Sequence, residues 1–386
     1  MSQPDDTVTT GTTTADTVTT ADDTAEFGLS FELTPSESVR DSAEREVILS
    51  DPGFGKHFTD HMVSIRWSLD EGWHAARVHP YGPLQLDPAA SVLHYAQEIF
   101  EGMKAYRHAD GSIWSFRPDA NGRRLQRSAR RLALPELSTD DFVESVKQLV
   151  QVDSSWVPSA PETSLYLRPF MIASEAFLGV RPAHGVDFHV IASPAGAYFA
   201  GGIAPVSIWL SQDYSRAGRG GMGAAKTGGN YAASLLPQAE AYEQGCQQVL
   251  FLDSEERTWV EELGGMNVFF VYRDGRVVTP ALGTILEGIT RSSVIRLAEE
   301  RGHVVEERRF SIDEWREGVE SGDIVEAFAC GTAAVITPIG RLKAADFEIG
   351  APDAEPGALT MSLRDELTGI QYGRLPDHHG WMHRLA

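Results

Sequence analysis

Gly223-Ala224-Ala225-Lys226-Thr227-Gly228-Gly229-Asn230-Tyr231 sets a single lysine among residues with almost no side chains. A second unusual stretch, Glu261-Glu262-Leu263-Gly264-Gly265-Met266-Asn267, follows it. A lysine ringed by glycine and alanine can lie against a flat cofactor. An ammonium held in a partly dry site gives up its proton readily, which suits it to Schiff-base chemistry. Taken alone, a Gly-Lys stretch reads as a solvated loop, so the meaning of Lys226 depends on its company.

The 386 residues suffice for two ordinary domains with a sizeable core. A formal net charge of -22 argues against a polyanion-binding surface, since nucleic-acid and acidic-membrane binders need basic patches. Residues 1–39 hold eight Asp/Glu and no Lys/Arg, so the body of the chain is acidic without being extreme. Two cysteines, Cys246 and Cys330, cannot build a disulfide framework or a Cys-rich metal site. No apolar run reaches membrane-spanning length, and no basic start leads into an apolar segment. A cytoplasmic setting with neither membrane nor nucleic-acid partner is the expectation. The Thr/Asp/Ala-rich opening, with Thr14-Ala15-Asp16-Thr17 nearly repeated from Thr20 to Thr24, reads as a disordered acidic tail over 1–28.

Beyond the tail, Val63, Ile65 and Trp67 alternate as in a half-buried strand, and Asp187 to Ala192 reads as another. Asn121 to Ala133 has Leu125, Ala129 and Leu132 on one face and Arg123, Arg127 and Arg130 largely on the other, which predicts an amphipathic helix stopped by Pro135. The run Ser193-Pro194-Ala195-Gly196 through Gly202 is punctuation and marks a connector. Val206, Ile208 and Leu210 alternate after it. Met266 to Tyr272 and Arg276 to Thr279 flank an Asp274-Gly275 hairpin turn. Ile289 to Arg301 is helical and closed by Gly302, and Ser311 with Glu314 forms a capping box. Strands and helices mix without regular βαβ alternation, which predicts an α+β fold. The division expected is a small domain over 29–195, a connector over 196–206 and a larger domain over 207–386.

Three decoys fall away. Residues 218–227 mimic a phosphate loop, but Ala225 stands where Walker A needs glycine. His57/His61 and His378/His379 lack further ligands for a metal. The arginines of 123–131 read, on so acidic a chain, as a solvated helix face with one anion-binding member.

A pyridoxal-phosphate enzyme needs a Schiff-base lysine, a partner for the pyridine nitrogen, a phosphate cup and a face open to substrate. Lys226, Glu101-Gly102-Met103-Lys104, Phe58-Thr59-Asp60-His61-Met62 and Gly331-Thr332-Ala333, in this order and spacing, resemble the branched-chain amino-acid aminotransferases. That resemblance runs from about Phe54 to near the C-terminus. It implies the two-domain fold type IV of pyridoxal-phosphate enzymes, with mixed sheets, helices and an interdomain loop. It implies pyridoxal 5'-phosphate as cofactor and a homodimer with shared active sites.

By the same resemblance, Lys226 would bond the cofactor and shuttle the substrate's proton. Glu262 would pair with the pyridine nitrogen, Glu261 being the competing assignment, and Tyr231 would bond the phenolic oxygen. Arg124 (with Arg123 as the fallback), Ile289, Thr290 and Thr332 would meet the phosphate. The pair at 289–290 has a physical basis as well, because a helix start offers free N–H groups and positive dipole to an anion. Phe54, Tyr95, Phe100, Tyr166, Tyr198, Leu178 and Val180 would line an apolar pocket, with Tyr95, Leu178 and Val180 supplied by the second subunit. Arg168 would seat the acidic side chain of glutamate, and the Ala333 N–H would meet the substrate carboxylate. Two departures stand out. Ala334 and Thr337 replace a Cys-x-x-Cys found in some relatives, and Gly265 replaces a hydroxyl residue near the substrate. The expected reaction moves an amino group between leucine, isoleucine or valine and 2-oxoglutarate in a ping-pong cycle. The rivals are a D-amino-acid aminotransferase, an aminodeoxychorismate lyase, or a non-catalytic protein that keeps the fold.

Overall fold

The computed structural model describes residues 28–196, 203–350 and 354–386. Two nine-stranded sheets dominate it. The first runs Glu32–Leu33, Gly72–Pro80, His61–Ser68, Gly185–Ala195, Ser164–Ala173, Met103–Arg107, Ile113–Phe116 and Met382–Arg384, with Glu98–Phe100 added on Ser164–Ala173. The second runs Val260–Leu263, Gln248–Leu252, Val206–Ser211, Val335–Lys343, Ile324–Gly331, Asn267–Tyr272, Val277–Pro280 and Val305–Arg308, with Glu348–Gly350 on Val335–Lys343. Both mix parallel and antiparallel pairs, as the irregular order of elements in the sequence implies.

In the first sheet, Val63 and Ile65 face a core that also holds Leu125, Phe142, Val146 and Phe188. The helices Pro118–Arg131 and Thr139–Val152 supply much of this cover. The sequence alternation understates the burial here, because Met62 and Ser64 on the opposite face are buried as well. Ser64 Oγ lies 2.7 Å from His79 Nε2 and 2.9 Å from His189 Nδ1, so this second face carries a polar bridge instead of water. The arginine helix forms as expected, with Arg123, Arg127 and Arg130 exposed. It ends at Arg131, ahead of Pro135. His61 is committed to Asp153, its Nδ1 lying 2.7 Å from that carboxylate.

Asn267–Tyr272 shows why a continuous apolar run fits a strand covered on both faces. Val268 and Phe270 belong to one core, where Phe270 stacks on Phe310 at 3.8 Å between ring centroids. Phe269 and Val271 belong to another, built with Val294, Leu297, Leu363 and Leu367 of the helices Ile289–Glu300 and Ala358–Gln371. The capping box at 311–314 is half made. Ser311 Oγ accepts from the Glu314 N–H at 2.9 Å, but the Glu314 carboxylate turns to Arg308 and Tyr272. The strand Met382–Arg384 joins the first sheet. It pairs antiparallel with Ile113–Phe116 in the first sheet, because Met382 and Trp381 find apolar cover beside Phe116. Among the described residues no helix is long and apolar enough to cross a membrane.

Candidate active site

The lysine loop is held from three directions. Asn230 Nδ2 donates to the carbonyls of Met222 (2.8 Å) and Ala225 (2.9 Å), closing the loop on itself. The Lys226 N–H donates to Ser128 Oγ at 3.0 Å, and the Lys226 carbonyl accepts from the Phe100 N–H at 3.0 Å. Both of those partners lie on elements of the first sheet and its covering helix, so the loop bridges the two halves of the fold. The side chain then emerges with Nζ 2.5 Å from Tyr231 Oη and 4.6 Å from the Phe100 ring centroid.

A cavity of about 240 Å³ opens here. Its walls bring together Phe54, Phe100, Arg124, Tyr166, Arg168, Lys226, Tyr231, Glu262, Ile289, Thr290, Thr332 and Ala333, residues scattered over most of the chain. Tyr95, Leu178 and Val180 do not join this lining. They are exposed, with Tyr95 Oη donating to the Leu178 carbonyl. Tyr198 lies outside the described residues.

Strand alternation separates the two competing carboxylates. Glu262 faces the cavity, whereas Glu261 turns away and accepts from Thr284 Oγ1. Glu262 is 3% exposed. Burial pushes its carboxyl up to about 7, against the pull of the Arg216 guanidinium, the Leu286 N–H and the Lys226 ammonium. Folding therefore raises its proton affinity, so its contribution to stability is full below the ordinary value of 4.5 and is lost as pH rises to about 7. Thermal unfolding of the ligand-free protein across that window should show the wild type losing stability relative to Glu262→Gln. A pH-independent gap between the two would contradict this.

The helix Ile289–Glu300 starts at the cavity, and no side chain caps it at Gly288. Its first N–H groups are thereby left for an anion. Gly288 is required sterically, since a Cβ there would overlap Asn267 Oδ1. Asn267 Nδ2 in turn holds the Leu286 carbonyl at 3.1 Å and fixes the approach to the helix. Arg124 is more committed than its motif suggests. Its Nε and Nη2 each donate to Glu101 at 2.8 Å, and Nη1 donates to the Glu287 carbonyl at 3.0 Å. A guanidinium has five N–H groups, so two remain for a further acceptor. Lys104 Nζ donates to the Ala333 carbonyl at 2.9 Å, and burial holds that amine down at about 8. Arg168 lies 4.8 Å over the Phe100 ring and donates to Tyr166 Oη at 3.0 Å, while its buried Nε has no partner among the described residues.

Four participants are absent from the sequence assignments: Arg216, Glu101, Asn267 and Lys104. Glu101, Lys104 and Asn267 stand inside motifs quoted for other reasons. Arg216 had a weaker signal, one of two arginines in the Gly-rich stretch leading to the lysine.

Residues 98–342 match the profile of the family amino-transferase class IV. The chain belongs to the class IV aminotransferases. Among relatives of this class IV aminotransferase, the branched-chain-amino-acid aminotransferase of Mycolicibacterium smegmatis is 60% identical over 362 residues, covering 92% of this chain and 98% of that protein. That of Mycobacterium tuberculosis H37Rv is 59% identical over 363 residues, covering 93% and 99%. A solved branched-chain amino acid aminotransferase from Thermobaculum terrenum, in its PLP-form, superimposes with a TM-score of 0.67 at 27% identity, covering 83% of this chain and 98% of that one. The two-sheet, mixed α+β architecture is thus that of class IV aminotransferases.

Proposed function

We propose that this class IV aminotransferase uses pyridoxal 5'-phosphate to move the amino group between leucine, isoleucine or valine and 2-oxoglutarate. The observation that carries the reading is the convergence of Lys226, Tyr231, Glu262 and an uncapped helix start in one cavity. The donor set fits that cofactor: an amine for an aldehyde, a buried carboxylate for a ring nitrogen, and free N–H groups with Arg124 and Thr332 for a phosphate. The names of the relatives with about 60% identity support the substrate class.

When bound, pyridoxal 5'-phosphate supplies a carbonyl that condenses with amines and a ring that accepts electrons from the substrate's Cα. Lys226 Nζ would hold it and, once released by an incoming amine, take and return the proton at Cα. Tyr231 Oη, 2.5 Å from that amine, would orient it and bond the phenolic oxygen. Glu262 would accept from the ring N–H and keep that nitrogen protonated. Gly102 leaves room for Tyr166 at the pocket wall, since a Cβ there would overlap Tyr166 Oη. Phe54, Phe100 and Tyr166 give apolar walls for a branched side chain, with Phe54 and Tyr166 packed edge-on at 5.0 Å. Arg168, whose Nε has no partner among the described residues, would neutralise the distal carboxylate of glutamate. The Ala333 N–H would meet the carboxylate common to all substrates. The exposed apolar group Phe177, Leu178, Val180 and Tyr95 supports a homodimer.

The test is transamination by the purified protein with added pyridoxal phosphate, using leucine, isoleucine, valine and D-alanine as donors to 2-oxoglutarate. The three branched-chain donors should be turned over and D-alanine should not. Preference for D-alanine, or no turnover of leucine, would overturn the reading. Arg168→Met should lower kcat/KM for 2-oxoglutarate about tenfold or more, the usual cost of losing a hydrogen bond to a charged group, and affect leucine less. Equal losses for both substrates would remove Arg168 from that role.

A further inference from the structure

Arg216 is 6% exposed and belongs to no motif that points to chemistry. Its Nη2 pairs with Glu262 Oε1 and lies within donating distance of the carbonyls of Gly223 (2.9 Å) and Thr284 (3.2 Å). Three segments therefore meet on one guanidinium: the loop carrying Lys226, the strand carrying Glu262, and the segment leading to the helix start at Gly288. The Leu286 N–H donates to the same Oε1 at 2.9 Å. Oε1 thus meets one N–H donor and the charge of the Arg216 guanidinium, whereas Oε2 takes no hydrogen bond among the described residues.

Chemistry makes this asymmetry consequential. A carboxylate removed from water tends to take up a proton, and a protonated Glu262 no longer keeps a ring nitrogen charged. A guanidinium does not deprotonate in proteins, so it is a permanent counter-charge. The other charged groups about Glu262 are Lys226, whose amine is consumed when it bonds the cofactor, and Glu261, which repels. Arg216 is the cation that persists.

We propose that Arg216 is a positioning residue acting through Glu262: its charge sits against Oε1 and favours the ionised carboxylate, so that Oε2 remains the acceptor for the cofactor's ring N–H. This rests on the reading of Glu262 given above. Its Nε, buried and without a partner among the described residues, fits a side chain retained for charge at the cost of one unsatisfied donor.

The experiment uses the holoenzyme carrying pyridoxal phosphate labelled with 15N at the ring nitrogen. Wild type, Arg216→Lys, Arg216→Gln, Arg216→Met, Glu262→Gln and the Arg216→Met/Glu262→Gln double variant are compared. The readouts are the ring-nitrogen NMR shift and the rate of the half-reaction with leucine. Arg216→Met and Glu262→Gln should each move the nitrogen toward its unprotonated shift and slow the half-reaction about 100-fold, the order expected for a lost preorganised charge. The double variant should lose little more than either single one, since both remove one unit. Arg216→Lys should keep the nitrogen protonated. Should Arg216→Met fail to fold, Arg216→Gln retains a donor for the carbonyls without the charge and should give the same unprotonated shift. A protonated nitrogen in the neutral variants, or a double variant whose loss multiplies the two single losses, would overturn the proposal in favour of a plain loop clamp. Wild type separates the two readings. Without leucine turnover the transaminase assignment falls, whereas turnover with unshifted nitrogen in the variants defeats the role of Arg216 alone.

Discussion

Replacing Lys226 with alanine should abolish transamination, lowering the leucine half-reaction by at least about 10⁴-fold. Two functions go with one amine, the covalent attachment and the proton transfer at Cα, and the loss of general-base catalysis alone is worth about 10²–10⁴. Among the described residues no second amine lines the cavity. Lys104 faces the other side of the Gly331-Thr332-Ala333 turn, bound to the Ala333 carbonyl, and the nearest guanidiniums cannot give up a proton. Borohydride treatment of the holoprotein should fix the cofactor on the peptide containing Lys226 in wild type and on no peptide in the variant. The fold should survive, because the side chain reaches into the cavity beside Phe100 and Tyr231 while the backbone contacts to Ser128 and Phe100 remain. Retention of more than about 1% of wild-type rate would require another base.

A second large effect concerns stability. Glu101 is fully buried, and it accepts two hydrogen bonds from Arg124 and one, at 2.7 Å, from Asn121 Nδ2. Removing one partner of a buried pair leaves the other charge stranded, at a cost of about 3–5 kcal/mol. Glu101→Ala should therefore lower the unfolding free energy of the ligand-free protein by about that amount, read as a shift in denaturant midpoint at constant slope. Glu101→Gln, which keeps part of the hydrogen bonding, should lose less. The released Arg124 should also misplace the anion subsite and weaken cofactor retention. A loss of about 1 kcal/mol or less in Glu101→Ala, the level of an exposed pair, would mean that Arg124 finds water in place of Glu101.

What the sequence disclosed follows from which interactions are local. The helix Ile289–Glu300, the 272–277 hairpin and the arginine helix carry their own periodicity and punctuation, so they were readable in isolation. The site was readable where resemblance supplied what spacing cannot, since Phe54, Arg124, Lys226 and Thr332 converge only through the tertiary fold. Arg216 and Glu101 escaped because their meaning lies in a partner 46 and 23 residues away, respectively Glu262 and Arg124. Nothing in the local sequence marks an arginine that serves a carboxylate over one that faces water. The commitment of Arg124 to Glu101 was hidden for the same reason. Glu261 and Glu262 are equivalent by composition, and only the pleat of Val260–Leu263 assigns one to each side.

The pairing of Met382–Arg384 with Ile113–Phe116 bears on the order in which the molecule is completed during synthesis. Ile113–Phe116 leaves the ribosome early, and its outer edge stays open while the whole second sheet is being made. An unpaired edge of this kind is a template for joining another chain. The nascent protein thus carries an open strand edge until Met382–Arg384 arrives to close it, and clipping that strand should cost solubility before it costs chemistry.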